Sequence, residues 1–153
     1  MRFLTVLFCV VCTLFLVACG DESVKLDNVV LVKSLDNTQT VSIYLGTDQD
    51  YLELSLKADQ IKSGNKIKTE NASLSDGLTA TATWSGSTYF SSSKHPTFTS
   101  CTIESIDAGN KKALLKIAAK LVEPRSEKFW EAKEQSIEIT GKHFDELTRL
   151  ATL

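Results

Sequence analysis

Lys111-Lys112-Ala113-Leu114-Leu115-Lys116-Ile117-Ala118-Ala119-Lys120-Leu121-Val122 decides the fold of this chain, because it reads two ways. Wound as a helix, Leu114, Leu115, Ala118, Leu121 and Val122 form one apolar stripe at i, i+1, i+4, i+7 and i+8. Extended as a strand, Leu115, Ile117, Ala119 and Leu121 face one side, and Lys116 and Lys120 face the other together with Leu114. Ala, Leu and Lys are good helix formers. Tertiary context overrides such preferences, and the neighbouring segments supply that context.

Outward from this segment the period is two. Ser136-Ile137-Glu138-Ile139-Thr140 alternates, and Phe144, Leu147 and Leu150 at three-residue spacing predict a helical end. Between them and Glu123-Pro124, the charged residues 126–135 fit either a short helix or a hairpin loop. Upstream, residues 98–107 read as a strand with Cys101, Ile103 and Ser105 on one face. Leu78, Ala80, Ala82 and Trp84 alternate with threonines. Val41, Ile43 and Leu45, then Leu52, Leu54 and Leu56, alternate on either side of a turn at 46–50, which is a hairpin pattern. Residues 24–35 read as a strand and 67–74 as a weak, polar edge strand. Turn residues at 36–38, 63–65, 75–77 and 108–110 separate the runs. The expected architecture is all-β, a single β-sandwich-like domain over residues 24–153 with room for one helix. The alternative is α+β, with a helix over 111–122.

The chain opens with Met1-Arg2, an uncharged apolar run of fifteen residues from 3 to 17, and then Ala18-Cys19-Gly20-Asp21. A spanning helix needs about twenty apolar residues. A positive start, a run of this length and a small residue before a cut read as an export signal. Leu16-Val17-Ala18-Cys19 resembles the lipobox of bacterial lipoproteins, in which diacylglycerol is attached to the cysteine and the chain is cut ahead of it. The resemblance implies a signal peptide over 1–18, cleavage between Ala18 and Cys19, and lipidation of Cys19. It implies a short tether over 19–23 that keeps the domain near the membrane. Gly20, not Asp, follows the cysteine. By the same resemblance the protein passes to the outer membrane, facing the periplasm, where the envelope has one.

A second resemblance lies in the other half. Cys101-Thr102-Ile103-Glu104-Ser105-Ile106-Asp107, a turn, a long segment ending Lys120-Leu121-Val122, and Ser136-Ile137-Glu138-Ile139-Thr140-Gly141-Lys142-His143-Phe144 follow one another. This cadence is similar to that of small β-sandwich domains in bacterial lipoproteins of unassigned function. Those domains often carry Gly in the middle of the long strand, where this chain has Ala118-Ala119. The likeness implies a sandwich and brings no catalytic residues with it.

Charge and cysteines narrow the classes further. The signal removes one of the 17 Lys and Arg residues, Arg2, and none of the 19 Asp and Glu, so the mature domain is mildly acidic. No basic patch points to nucleic acid, and no polybasic segment to anionic lipid. Of the four cysteines, Cys9 and Cys12 leave with the signal, Cys19 takes the lipid and Cys101 stands alone. No disulfide can form within the mature chain. Burial is the common fate of such a thiol.

Motifs for phosphate, zinc-protease and nucleophile-elbow chemistry are missing, and no cofactor or metal is expected. A metal site would need His95 and His143 to converge with carboxylates such as Glu104 or Asp145. A triad would need Ser91, Ser92 or Ser93 to meet His95 and Asp107. Glu131, Glu134 and Glu138 interleave with lysines and read as a solvated face. Trp84, Tyr89 and Phe90 gather around Ser85-Gly86-Ser87, and aromatics among small polar residues suit a contact surface. This stretch is similar to the Ser-Gly loop of periplasmic lysozyme inhibitors, although the paired cysteines of that family are absent. Phe129 and Trp130 are adjacent, so on a strand only one can face inward.

The function expected is that of a lipid-anchored cell-envelope lipoprotein acting as a non-catalytic binding module. Its partners would be the membrane, through Cys19, and an envelope protein, with no nucleic acid. One alternative is an inhibitor or immunity protein blocking an envelope hydrolase, which a protruding loop at 85–90 favours. The other is a small hydrolase, which a deep polar pocket at His95 favours.

Overall fold

The computed structural model describes residues 25–33, 39–73 and 77–149. The signal, Cys19 and the turns read at 36–38 and 75–76 lie outside them. Among the described residues the order is β1 (Leu26–Lys33), β2 (Gln39–Gly46), β3 (Tyr51–Lys57), β4 (Lys66–Glu70), β5 (Leu78–Trp84), β6 (Ser87–Phe90), β7 (Phe98–Asp107), β8 (Lys112–Val122), β9 (Phe129–Thr140) and α1 (Gly141–Thr148). Every pairing is antiparallel. One run of strands is β1-β2-β3-β5-β6 and the other is β4-β7-β8-β9, joined by a single bridge between Phe90 and Val122. The fold is all-β and sandwich-like, with one short C-terminal helix.

The deciding segment is a strand. Leu115, Ile117, Ala119 and Leu121 are each at most 1% exposed, while Leu114, Lys116 and Lys120 are half-buried on the other face. The helical alternative for 111–122 is overturned because β8 is paired along both edges, with β7 and with β9. A helix there would satisfy its own backbone and leave β7 and β9 without their ladders.

The core is laid down in cross-strand rows. Val29, Ile43, Leu54 and Ala80 lie opposite one another, as do Val41, Leu56 and Leu78. In the other run the rows are Ile103, Leu115 and Ile137, then Ala113 and Ile139. All of these are buried. Period-two apolar residues on both runs therefore meet between them, which is the source of most of the stability.

Two bulges break the period and correct two expectations. On β7 the register shifts between Ile103 and Ser105, so Glu104 is an extra residue. Ser105 is turned out to solvent, and Ile106 takes the inward place. On β9, Ile117 faces Gln135 while Ala119 faces Ala132, which leaves Lys133 and Glu134 as the irregularity. Residues 129–135, left open between helix and loop, are therefore strand, and only 123–128 form the turn. At Gly141 the backbone adopts φ +57 and starts α1, whose Phe144 and Leu147 are buried in the core.

Thr99 lies within this core, 0% exposed, and its Oγ1 has no hydrogen-bond partner. A buried hydroxyl without a partner costs about 1–3 kcal/mol. Thr99→Val keeps the shape and removes the hydroxyl, so it is expected to raise stability by about 1 kcal/mol in urea denaturation. A loss of stability would show that the hydroxyl is satisfied.

Candidate functional site

The site grows from the β5–β6 hairpin. Trp84 pairs with Ser87 across a two-residue turn, with φ +49 at Ser85 and +75 at Gly86. Those angles are the hairpin turn whose twist matches the strands. The Ser85 N–H donates to Asp50 Oδ1 at 2.6 Å. Asp50 belongs to the turn at 47–50, where Thr47 Oγ1 accepts the Asp50 N–H at 3.1 Å. The stretch 85–90 is thus a tight turn clamped to its neighbour, followed by a strand.

The candidate aromatic residues separate into two groups. Trp84 and Trp130 meet across the sandwich with ring centroids 5.8 Å apart and planes tilted by 44°. Trp130 lies opposite Leu121, and it packs against the core as Tyr89 does. These rings therefore spend much of their surface on packing. Phe90 and Phe129 do not. Both pair with Val122, one on each edge of β8, so the three side chains stand in one row on the outer face. Val122 is 1% exposed, while Phe90 and Phe129 are 42% and 44% exposed.

A lysine and a histidine frame the Phe129 ring. Lys120 Nζ stands 4.7 Å from its centroid, and the His95 ring meets it edge-on at 6.3 Å. A cation over an aromatic face is an attractive arrangement that leaves the ammonium open to a further anion. Lys120, Val122 and His95 were not singled out as contact residues from the sequence. Phe90 and Val122 lie more than thirty residues apart in the chain, and the β6–β8 pairing brings them together beside the β8–β9 hairpin that carries Lys120 and Phe129. Down the same face from the cluster runs a depression of about 540 Å³, lined among others by Lys68, Phe98, Ser100, Ala118 and Glu131.

The other constellations do not assemble. Asp107 lies at the far end of β7 from Phe98, about 30 Å along an extended strand. Its carboxylate accepts from the Asn110 side chain at 2.7 Å and the Asn110 N–H at 3.0 Å, which holds it below the usual carboxylate range. It cannot orient His95. Ser92 is engaged within its own loop, where its N–H donates to Thr97 Oγ1 and its carbonyl accepts from the same hydroxyl.

His143 lies on α1 beside a separate cleft of about 410 Å³ with Asn28, Lys142 and Arg149. Glu104 pairs with Lys116 and Asp145 with Lys111, each at 3.1 Å. Among the described residues no group of three His, Cys, Asp or Glu side chains could hold a metal ion. Glu138 and Glu134 reach Lys112 and Lys116, as a solvated face would. Cys101 is fully buried, and burial pushes its thiol up to about 12, so it behaves as a small hydrophobe.

Ala18 and Cys19 lie outside the described residues. No helix among the described residues is long and apolar enough to cross a membrane. No protein-family model, no curated protein and no solved structure matches this chain. The fold and the surface therefore carry the functional reading by themselves.

Proposed function

We propose that this protein is a lipid-anchored cell-envelope lipoprotein, held by Cys19, that works as a non-catalytic binding module through Phe90 and Phe129. The observation that carries the binding role is the exposure of two phenylalanines in one rigid row, with a buried valine between them. Aromatic anchors that are fixed before binding lose little entropy when a partner covers them. The lipobox-like Leu16-Val17-Ala18-Cys19 supports the anchor.

The experiment places a photoreactive phenylalanine analogue at 90, at 129, or at the exposed Thr79 on the outer face of β5. Discrete adducts in the envelope at 90 and 129, and none at 79, are expected. Phe129→Ala should weaken binding about tenfold or more, as loss of a central aromatic anchor does. Identical adducts at all three positions, or none at 90 and 129, would reject this surface. Acyl labelling of the wild type and not of Cys19→Ser tests the anchor separately.

A further inference from the structure

The described domain begins at Lys25, and hydrogen bonds fix what lies beside it. The Gly46 N–H donates to the Lys25 carbonyl at 2.7 Å. Gly46 pairs with Tyr51 at the base of the turn 47–50, and Asp50 of that turn holds Ser85. Trp84, next to Ser85, meets Trp130, next to Phe129. The start of β1, the turns at 47–50 and 85–86, and the aromatic cluster therefore share one end of the molecule. Gly46, Tyr51, Thr83 and Thr88 form a row across this end. Phe90 is two residues further along β6, about 7 Å away. The turn at 108–111 lies beyond the opposite end of β8, about 30 Å from Val122.

Cys19 precedes Lys25 by six residues, a reach of at most about 20 Å. A diacylated cysteine fixes that point at the bilayer surface. Such a tether is shorter than the long axis of the domain.

Charge around the cluster is uneven. Lys120 sits over Phe129 and forms no ion pair among the described residues. Lys94 and Lys128 are exposed beside His95 and Phe129 in the chain. The Glu123 carboxylate turns back to accept the N–H groups of Arg125 and Ser126. Glu131 lies directly across from Lys120 in the β8–β9 register without forming an ion pair with it, and Glu127 is the other exposed acid nearby.

We infer that the tether stands the domain on the bilayer with its 47–50 and 85–86 turns down, and that the Phe90–Phe129 cluster binds an acidic, apolar-anchored segment of a protein held in the same membrane. This rests on the reading that Cys19 is lipidated and that the cluster is a binding surface. Sharing one membrane raises the effective concentration of such a partner, with no additional contact needed. The lysines over and beside Phe129 select a carboxylate next to the apolar group that covers the ring.

Two measurements on the full, lipidated protein test it. In phosphatidylcholine vesicles carrying a headgroup acceptor dye, a donor at Gln49→Cys should transfer several-fold more than one at Asn110→Cys. Both sites are exposed, whereas Cys101 is buried and resists labelling. Equal transfer, or more from 110, would overturn the orientation. In cells, the photo-adduct at 129 should fall about tenfold when a 30-residue Gly-Ser linker follows Ser23, and likewise with Lys120→Glu. An adduct unchanged by the linker would overturn the membrane-held partner and leave the binding module standing. An adduct unchanged by Lys120→Glu would overturn its acidic character. No adduct in any version would reject the binding module itself.

Discussion

Leu121→Ala is expected to cost about 2–5 kcal/mol of stability, and Leu114→Ala about 1 kcal/mol or less. Leu121 is 0% exposed and stands in the core. Truncating it removes its transfer energy and leaves a cavity that two paired neighbouring strands cannot collapse into. Leu114 is half-buried on the lysine-bearing face, opposite Ser105 and Glu138. Its truncation opens onto solvent, so no cavity term arises. Denaturation midpoints of the two variants, with the slope unchanged, read the difference directly. Equal large losses would contradict the strand and restore the helical stripe.

Gly46→Ala is expected to cost about 3–4 kcal/mol, more than any other glycine substitution described here. The backbone at Gly46 has φ +128, and a Cβ there would lie 2.2 Å from the Asp50 carbonyl oxygen and 2.9 Å from the Tyr51 Cα. Both are backbone atoms of the same hairpin, so neither can move without opening the β2–β3 pairing. Gly86 has φ +75 with nothing within 4 Å of a built Cβ. Gly86→Ala therefore meets only the left-handed penalty, about 1 kcal/mol. Thermal or urea unfolding of the pair separates clash from conformational preference. Equal costs would mean that the hairpin relaxes around the added carbon.

The strands were legible wherever one face alternates without interruption. Val41, Ile43 and Leu45, Leu52, Leu54 and Leu56, and Ile137 and Ile139 fall in phase with burial on their own strands. The same rule resolved Lys116 and Lys120 against Leu115 and Ile117. It failed at the bulges. An extra residue inverts the inward set of every residue beyond it, so Ser105 and the stretch 129–135 carry a pattern that no single period describes. The contact surface was half legible. Phe90 and Phe129 were visible as aromatics in polar surroundings, but their meeting at Val122 depends on a pairing between β6 and β8 that local sequence does not encode. The same long-range pairing brings Trp84 against Trp130, whose ring also packs on the core.

The irregularity at Lys133 and Glu134 has a consequence for crowding. Among the described residues β9 pairs with β8 alone, so its other edge carries no strand ladder. Copies held on a membrane, as proposed for this protein, would drift in two dimensions and collide edge to edge far more often than copies in bulk water. A flat strand of this length would then template sheet extension from one copy to the next. The bulge kinks the edge near its middle, and Glu131, Lys133, Glu134 and Glu138 load it with charge that neighbouring copies would have to bury. The feature that hid this strand from the sequence also breaks a long flat edge, and deleting Lys133 is expected to straighten it into a stickier border.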